Sequence, residues 1–188
     1  MILDQGEGPV VVLLHGGEAS PSWGHLAAML AARCRVLMPE NVADPLPEID
    51  EAGVERFAIV GEAEGAMLAL DLATSDRVDA LVLLSPTHAP ETTVDNIPVL
   101  IFAGEADWHL ADVAESLNEA IPTSTLGLVP GVGADLLDEA AATLFPMIDE
   151  YLRARFVKAP HGHGADGIVT IQLERKPAWV EADDEEDE

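Results

Sequence analysis

Val10-Val11-Val12-Leu13-Leu14 is a run without a polar residue. A strand with one wet face alternates apolar and polar side chains. A run apolar at every position is covered on both faces, which is the situation of a parallel sheet flanked by helices. Related runs recur at Phe57-Ala58-Ile59-Val60, Val78 to Leu84 and Val99 to Phe102, and shorter strands are predicted at Arg35 to Met38 and Thr125 to Val129. Helix-length segments lie between them. One runs from Ser22, as its cap, to about Arg33, with Trp23, Leu26, Ala27, Leu30 and Ala31 on a single stripe. A turn or two is expected in Pro47 to Gly53, a helix up to about Thr74, and another from about Leu110 to Ala120. The last is predicted from Asp135 to about Phe156, kinked or split at Pro146. The alternation of strand and helix predicts an α/β fold, with a mostly parallel central sheet and helices on both faces.

A chain of 188 residues is long enough for one domain with a substantial core, assigned here to residues 1–156. Residues 157–188 read as a C-terminal extension: a linker, a strand over 167–173 that could pair with the sheet edge or with a second copy, and an acidic tail over 181–188. No apolar run approaches the roughly 18 residues of a membrane span. Met1-Ile2-Leu3-Asp4 lacks the basic, then apolar start of a secretory signal, and a cytoplasmic location is expected. Cys34 is the single cysteine, expected as a small core residue, so there is no internal disulfide and no cysteine-based metal cage.

The formal net charge is −26, and up to Glu150 the only lysine or arginine residues are Arg33, Arg35, Arg56 and Arg77. Such a surface repels nucleic acid and anionic lipid, and suits a protein partner with a basic surface or a salt-rich cytoplasm that screens self-repulsion. The composition is similar to that of proteins from salt-accumulating organisms.

Phe57 to Ala73, FAIVGEAEGAMLALDLA, takes a buried strand through Gly61-Glu62-Ala63-Glu64-Gly65 into a helix rich in small residues. In order along the chain it accompanies VVVLLHGGEASPSWGHLAAMLAARCRVLMPEN, VDALVLLSP, IPVLIFAGEADWHL and LGLVPGVGADLLDEAAATLFPMIDEYL. Together these segments, covering most of residues 9–156, resemble a compact α/β-hydrolase. The resemblance implies a nucleophile elbow centred on Ala63, a His-Gly oxyanion loop at His15-Gly16-Gly17, a triad acid at Asp107 and a triad histidine at position 134. Two of those positions depart from the pattern. Ala63 offers a methyl group where the family has its nucleophile, and Ala134 cannot take a proton. Only a short loop separates Ser85 from Ile97, where many relatives insert a helical lid.

The mouth of such a site would be lined by His15, Gly16, Gly17, Glu18, Glu62 and Glu64. Ionised carboxylates there oppose an oxyanion, although Glu64 is also a favourable acid for the first turn of a helix. Asp107 reads as a helix N-cap in preference to a triad acid, and His15 as a backbone anchor. Relocated chemistry is an alternative: Ser85 with His88 as nucleophile and base, or Glu62, Glu64 and His109 around a metal, against the plainer reading of solvated loop residues. Gly162 to Gly167 fits G-x-G-x-x-G but follows a helix and opens a strand, the wrong context for a dinucleotide site. His161 and His163 alone do not make a metal site, and no cofactor is expected. The leading expectation is a catalytically inactive α/β-hydrolase-fold protein that binds a partner or a small ligand. The alternatives are an esterase-like hydrolase with a relocated or metal-assisted site, and an acidic-tailed subunit of a larger assembly.

Overall fold

The structure is a computed structural model that describes residues 3–17, 20–89 and 94–156. Seven strands form one sheet: β1 (Leu3–Gln5), β2 (Val10–Leu14), β3 (Arg35–Met38), β4 (Phe57–Glu62), β5 (Val78–Leu84), β6 (Val99–Gly104) and β7 (Ser124–Val129). Their order across the sheet is β1-β3-β2-β4-β5-β6-β7. All neighbours are parallel except β1, which runs antiparallel to β3 along the edge. The described residues also form six helices: α1 (Pro21–Leu30), α2 (Leu46–Glu51), α3 (Glu64–Leu72), α4 (Trp108–Ala120), and, after β7, α5 (Leu136–Glu139) and α6 (Ala141–Phe156).

The continuous apolar runs do what their composition requires. Val11 and Leu13 face a core built with α1, α5 and α6, while Val12 and Leu14 face a second core built with α2, α3 and α4. All four have no exposed surface, so β2 is sandwiched on both sides. The small residues of α3 bring that helix hard against the sheet. A Cβ on Gly65 would stand 2.0 Å from the Leu14 carbonyl oxygen, and one on Gly61 would stand 2.4 Å from that of Gly65. Neither position tolerates a side chain.

Several predicted boundaries move. β1 is an unforeseen strand, three residues long and largely exposed; it is held to β3 by Arg35, whose Nε and Nη2 donate to Asp4 at 2.9 and 2.7 Å. The cap of α1 is Ser20, not Ser22, because Pro21 supplies the pre-set first helical residue. The helix is not split at Pro146. The long C-terminal helix breaks instead at Ala140, where α5 docks Leu136 and Leu137 into the core, and α6 runs through Pro146. Pro146 and Ala142 are both exposed, so the carbonyl deprived of its partner meets water. Cys34 is buried, as its surroundings suggested, and burial pushes its thiol pKa up. Among the described residues no helix is long and apolar enough to cross a membrane. The linker, the 167–173 strand, the acidic tail and the His161/His163 pair lie outside the described residues, as does Glu18.

Candidate functional site

Parallel strands put the loops that follow β2, β4, β5 and β6 at one edge of the sheet, the edge where open α/β sheets take ligands. Ala63, between β4 and α3, has φ +52° and ψ −120°. Such a backbone is costly for any residue with a Cβ, by about 1–3 kcal/mol. It is held by its surroundings: Ala63 N–H donates to the Leu84 carbonyl at 2.9 Å, and α3 begins at the next residue. Gly16 lies so close over the turn that its Cβ would approach the Ala63 Cβ and the Glu64 nitrogen, each at 2.8 Å. The sharp strand-to-helix turn is therefore closely packed, with Ala63 at its centre. Glu64 N–H, the first of α3, has no intrahelical acceptor.

An open cavity of about 310 Å³ adjoins the elbow, lined by His15, Gly16, Gly17, Val42, Ala43, Glu64, Gly65 and Leu68. His15 is half-buried, edge-on to Trp23 at 6.3 Å between ring centroids, and its Nδ1 is enclosed without a hydrogen-bond partner. A larger hollow of about 540 Å³, against Arg56, Asp76 and Asp95, opens at the opposite edge of the sheet, away from the elbow. Of the two, the smaller one carries the elbow geometry.

The remaining predicted site residues have separate partners. Asp107 accepts from the backbone N–H groups of His109 and Leu110, both at 3.2 Å, and so caps α4. Ala134 is exposed in the turn before α5. Its carbonyl accepts from Ser85 Oγ at 2.8 Å. Ser85 is 2% exposed and has φ +45°, so its hydroxyl faces the 134 turn and is already committed. His88 is exposed and its Nδ1 lies 3.1 Å from Thr87 Oγ1. The Ser85–His88 pairing weighed as an alternative is not formed; the two side chains have different partners. His109 is exposed beside Trp108, with ring centroids 5.9 Å apart. Glu62 and Glu64 point to different neighbours, and among the described residues no group of three or more His, Cys, Asp or Glu is placed to hold a metal ion.

Two arrangements were not foreseen. In the first, Thr87 Oγ1 donates to Glu64 Oε1 at 2.9 Å. Since the hydroxyl has one hydrogen and donates it to Glu64, the contact with His88 is made by Nδ1–H. Residues following adjacent parallel strands are neighbours at the sheet edge. The polar run after β5 and the acid after β4 were therefore the available signal.

The second arrangement surrounds Glu62. Burial pushes its carboxyl pKa up to about 7; the Leu137 N–H, donating to Oε1 at 3.4 Å, and the Trp23 side chain act against burial, while Asp138 and Asp135 add to it. Asp138, in contrast, is held below the usual carboxylate range by the hydroxyls of Ser22 and Ser20, the latter donating at 2.8 Å.

No family model matches the chain, and no curated protein matches it in sequence. Solved structures match it in fold. A thermophilic esterase from Thermogutta terrifontis, with malate bound, superposes with a TM-score of 0.72 at 16% identity, covering 83% of this chain and 93% of that one. A mutant meta-cleavage product hydrolase from Pseudomonas fluorescens gives 0.71 at 18% identity, over 81% and 93%. The carboxylesterase CesB from Bacillus subtilis gives 0.68 at 16%, over 81% and 87%. The chain has an α/β-hydrolase fold.

Proposed function

We propose that this is an α/β-hydrolase-fold protein without Ser–His chemistry, working by binding a small ligand in the mouth over Ala63. The observation that carries the reading is the elbow itself. A backbone strain of about 1–3 kcal/mol is kept at a residue that can perform no chemistry, next to an open cavity. Strain of that kind persists where surrounding structure over-determines it, and it clusters at functional sites. The cavity supports a ligand with an apolar part against Val42, Ala43 and Leu68 and a hydrogen-bond donor toward the Glu64 carboxylate. The test is mass spectrometry of small molecules released on denaturing the purified protein, beside a Leu68→Trp variant that fills the cavity. A species released from the wild type and missing from the variant supports the proposal. Equal release from both, or none from either, overturns it.

The Glu64–Thr87–His88 chain favours a second reading, hydrolysis by water activated at His88 Nε2. In it, water adds to an ester carbonyl carbon as Nε2 takes its proton, and the protonated imidazole returns a proton to the departing alcohol. Glu64 N–H would face the oxyanion. Ester turnover no faster than that of free imidazole, unchanged in His88→Ala, would remove this reading.

A further inference from the structure

The cavity beside the elbow has walls of two kinds. Val42, Ala43 and Leu68 supply apolar surface, and Gly17 leaves open space, since a Cβ built on it would meet no atom within 4 Å. The one carboxylate of the lining belongs to Glu64. Thr87 Oγ1 holds it in place, donating to Oε1 at 2.9 Å. A hydroxyl brings a hydrogen bond and no net charge, so the carboxylate is positioned without being neutralised. The other titratable residue of the lining, His15, is edge-on to Trp23 with its Nδ1 enclosed.

Among the described residues the cations are engaged elsewhere. Arg33 and Arg153 pair with Asp149, Arg35 with Asp4, Arg56 with Asp79 and Arg77 with Asp50, while Arg155 lies over the Tyr151 ring. None of the described residues is a lysine. Two effects then compete at the mouth. The N-terminus of α3 brings about half a positive charge, which by itself favours an anion. Glu64, the first residue of that helix, brings a full negative charge. The carboxylate is the larger of the two, and it stands on the cavity wall. An acidic ligand would meet it as a like charge. A ligand ending in an ammonium would set that group on Glu64 and its hydrocarbon on Val42, Ala43 and Leu68.

We propose that the mouth over Ala63 selects small aliphatic amines, with the Glu64 carboxylate as the group that recognises the ammonium. This names the ligand class of the binding site proposed above and rests on that reading. An N–H donor that carries charge makes a shorter and stronger bond to a carboxylate than a neutral hydroxyl does. The cavity is open and Glu64 is exposed, so water screens the pair and satisfies the carboxylate when no amine is bound. The preference for an amine over the matching alcohol is therefore about tenfold, well short of what a dry site would give.

The experiment titrates 1-hexylamine, 1-hexanol and hexanoate, which share a chain length and differ in charge, into the full nitrogen-15-labelled chain at neutral pH and physiological salt. Binding is read from the amide signals of Gly17, Gly65 and Leu68, which line the cavity. The amine is expected to bind about tenfold more tightly than the alcohol, and hexanoate more weakly than either. Glu64→Gln should bring the amine down to the level of the alcohol. Asp95→Asn, at the hollow on the opposite edge, tests for general attraction of a cation to a chain of net charge −26 and should leave the amine within about twofold of the wild type. Equal binding of amine and alcohol, amine binding that survives Glu64→Gln, an equal loss in Asp95→Asn, or no binding of the amine overturns the proposal. If Glu64→Gln does not fold, the comparison of amine with alcohol in the wild type decides alone. Failure of the amine preference leaves the binding reading intact, because that reading is decided by the release of small molecules from the wild type and the Leu68→Trp variant.

Discussion

At Ala63 the backbone keeps φ +52° although nothing on the side chain uses it. Glycine adopts that conformation without a Cβ penalty. Ala63→Gly is therefore expected to stabilise the protein by about 1 kcal/mol in denaturant melts, and a loss of stability would show that the turn is unstrained. Ser85, weighed in the sequence as a nucleophile against a plainer role, is buried with its hydroxyl bonded to the 134 turn. Ser85→Ala removes the bond to the Ala134 carbonyl and should cost about 1 kcal/mol, with no change in any ester turnover. That Ala63 stands in the strand-to-helix turn was legible in the sequence, because flanking glycines mark the turn. The partner of Ser85 was not. It depends on a turn 49 residues away, and spacing along the chain carries no information about which loop folds over which strand end.

The elements were legible in proportion to how fully they are buried. β2, β3 and β5 coincide with their predicted bounds, since an apolar run between breakers has few alternatives. β1 was invisible because three mostly exposed residues carry no pattern. The break at Ala140 was invisible because it follows from docking Leu136 and Leu137, a tertiary requirement that overrides the local signal of Pro146. The helix start at Asp107 was readable from its residue type, and it yields a discriminating test. Asp107→Ala should destabilise by about 1 kcal/mol and Asp107→Asn by much less, because an amide oxygen still caps. An acid that worked as a carboxylate would not be rescued by Asn.

Glu62 links the elbow to α5, and its proton sets a pH dependence of stability. The folded protein holds that proton up to about pH 7, whereas the unfolded chain releases it near the ordinary value of 4.5. Its stabilising contribution is complete below that lower value and is lost as pH rises through 7. Glu62→Gln should therefore be more stable than the wild type at pH 8, by about 1–3 kcal/mol, with the gap closing toward pH 5. Denaturant melts at the two pH values check this, and a gap independent of pH would contradict it.

Over the whole molecule, the net charge of −26 has little local compensation, since the arginines of the described residues are already paired or stacked. Screening should relieve the self-repulsion. Melting temperature and refolding yield are expected to rise from low to molar KCl, and equal values in both would remove the high-salt reading of the composition. The fold itself is legible from the order of motifs and is matched by esterase and hydrolase structures at 16–18% identity. What the mouth does is not given by the fold, because function belongs to the residues at the site. The central claim is that this site binds without Ser–His chemistry. Labelling with a fluorophosphonate probe tests it most directly, with Ala63→Ser/Ala134→His as the variant that restores both missing groups. The wild type is expected to remain unlabelled and the double variant to gain labelling. Stoichiometric labelling of the wild type, lost on Ser85→Ala, would contradict the account.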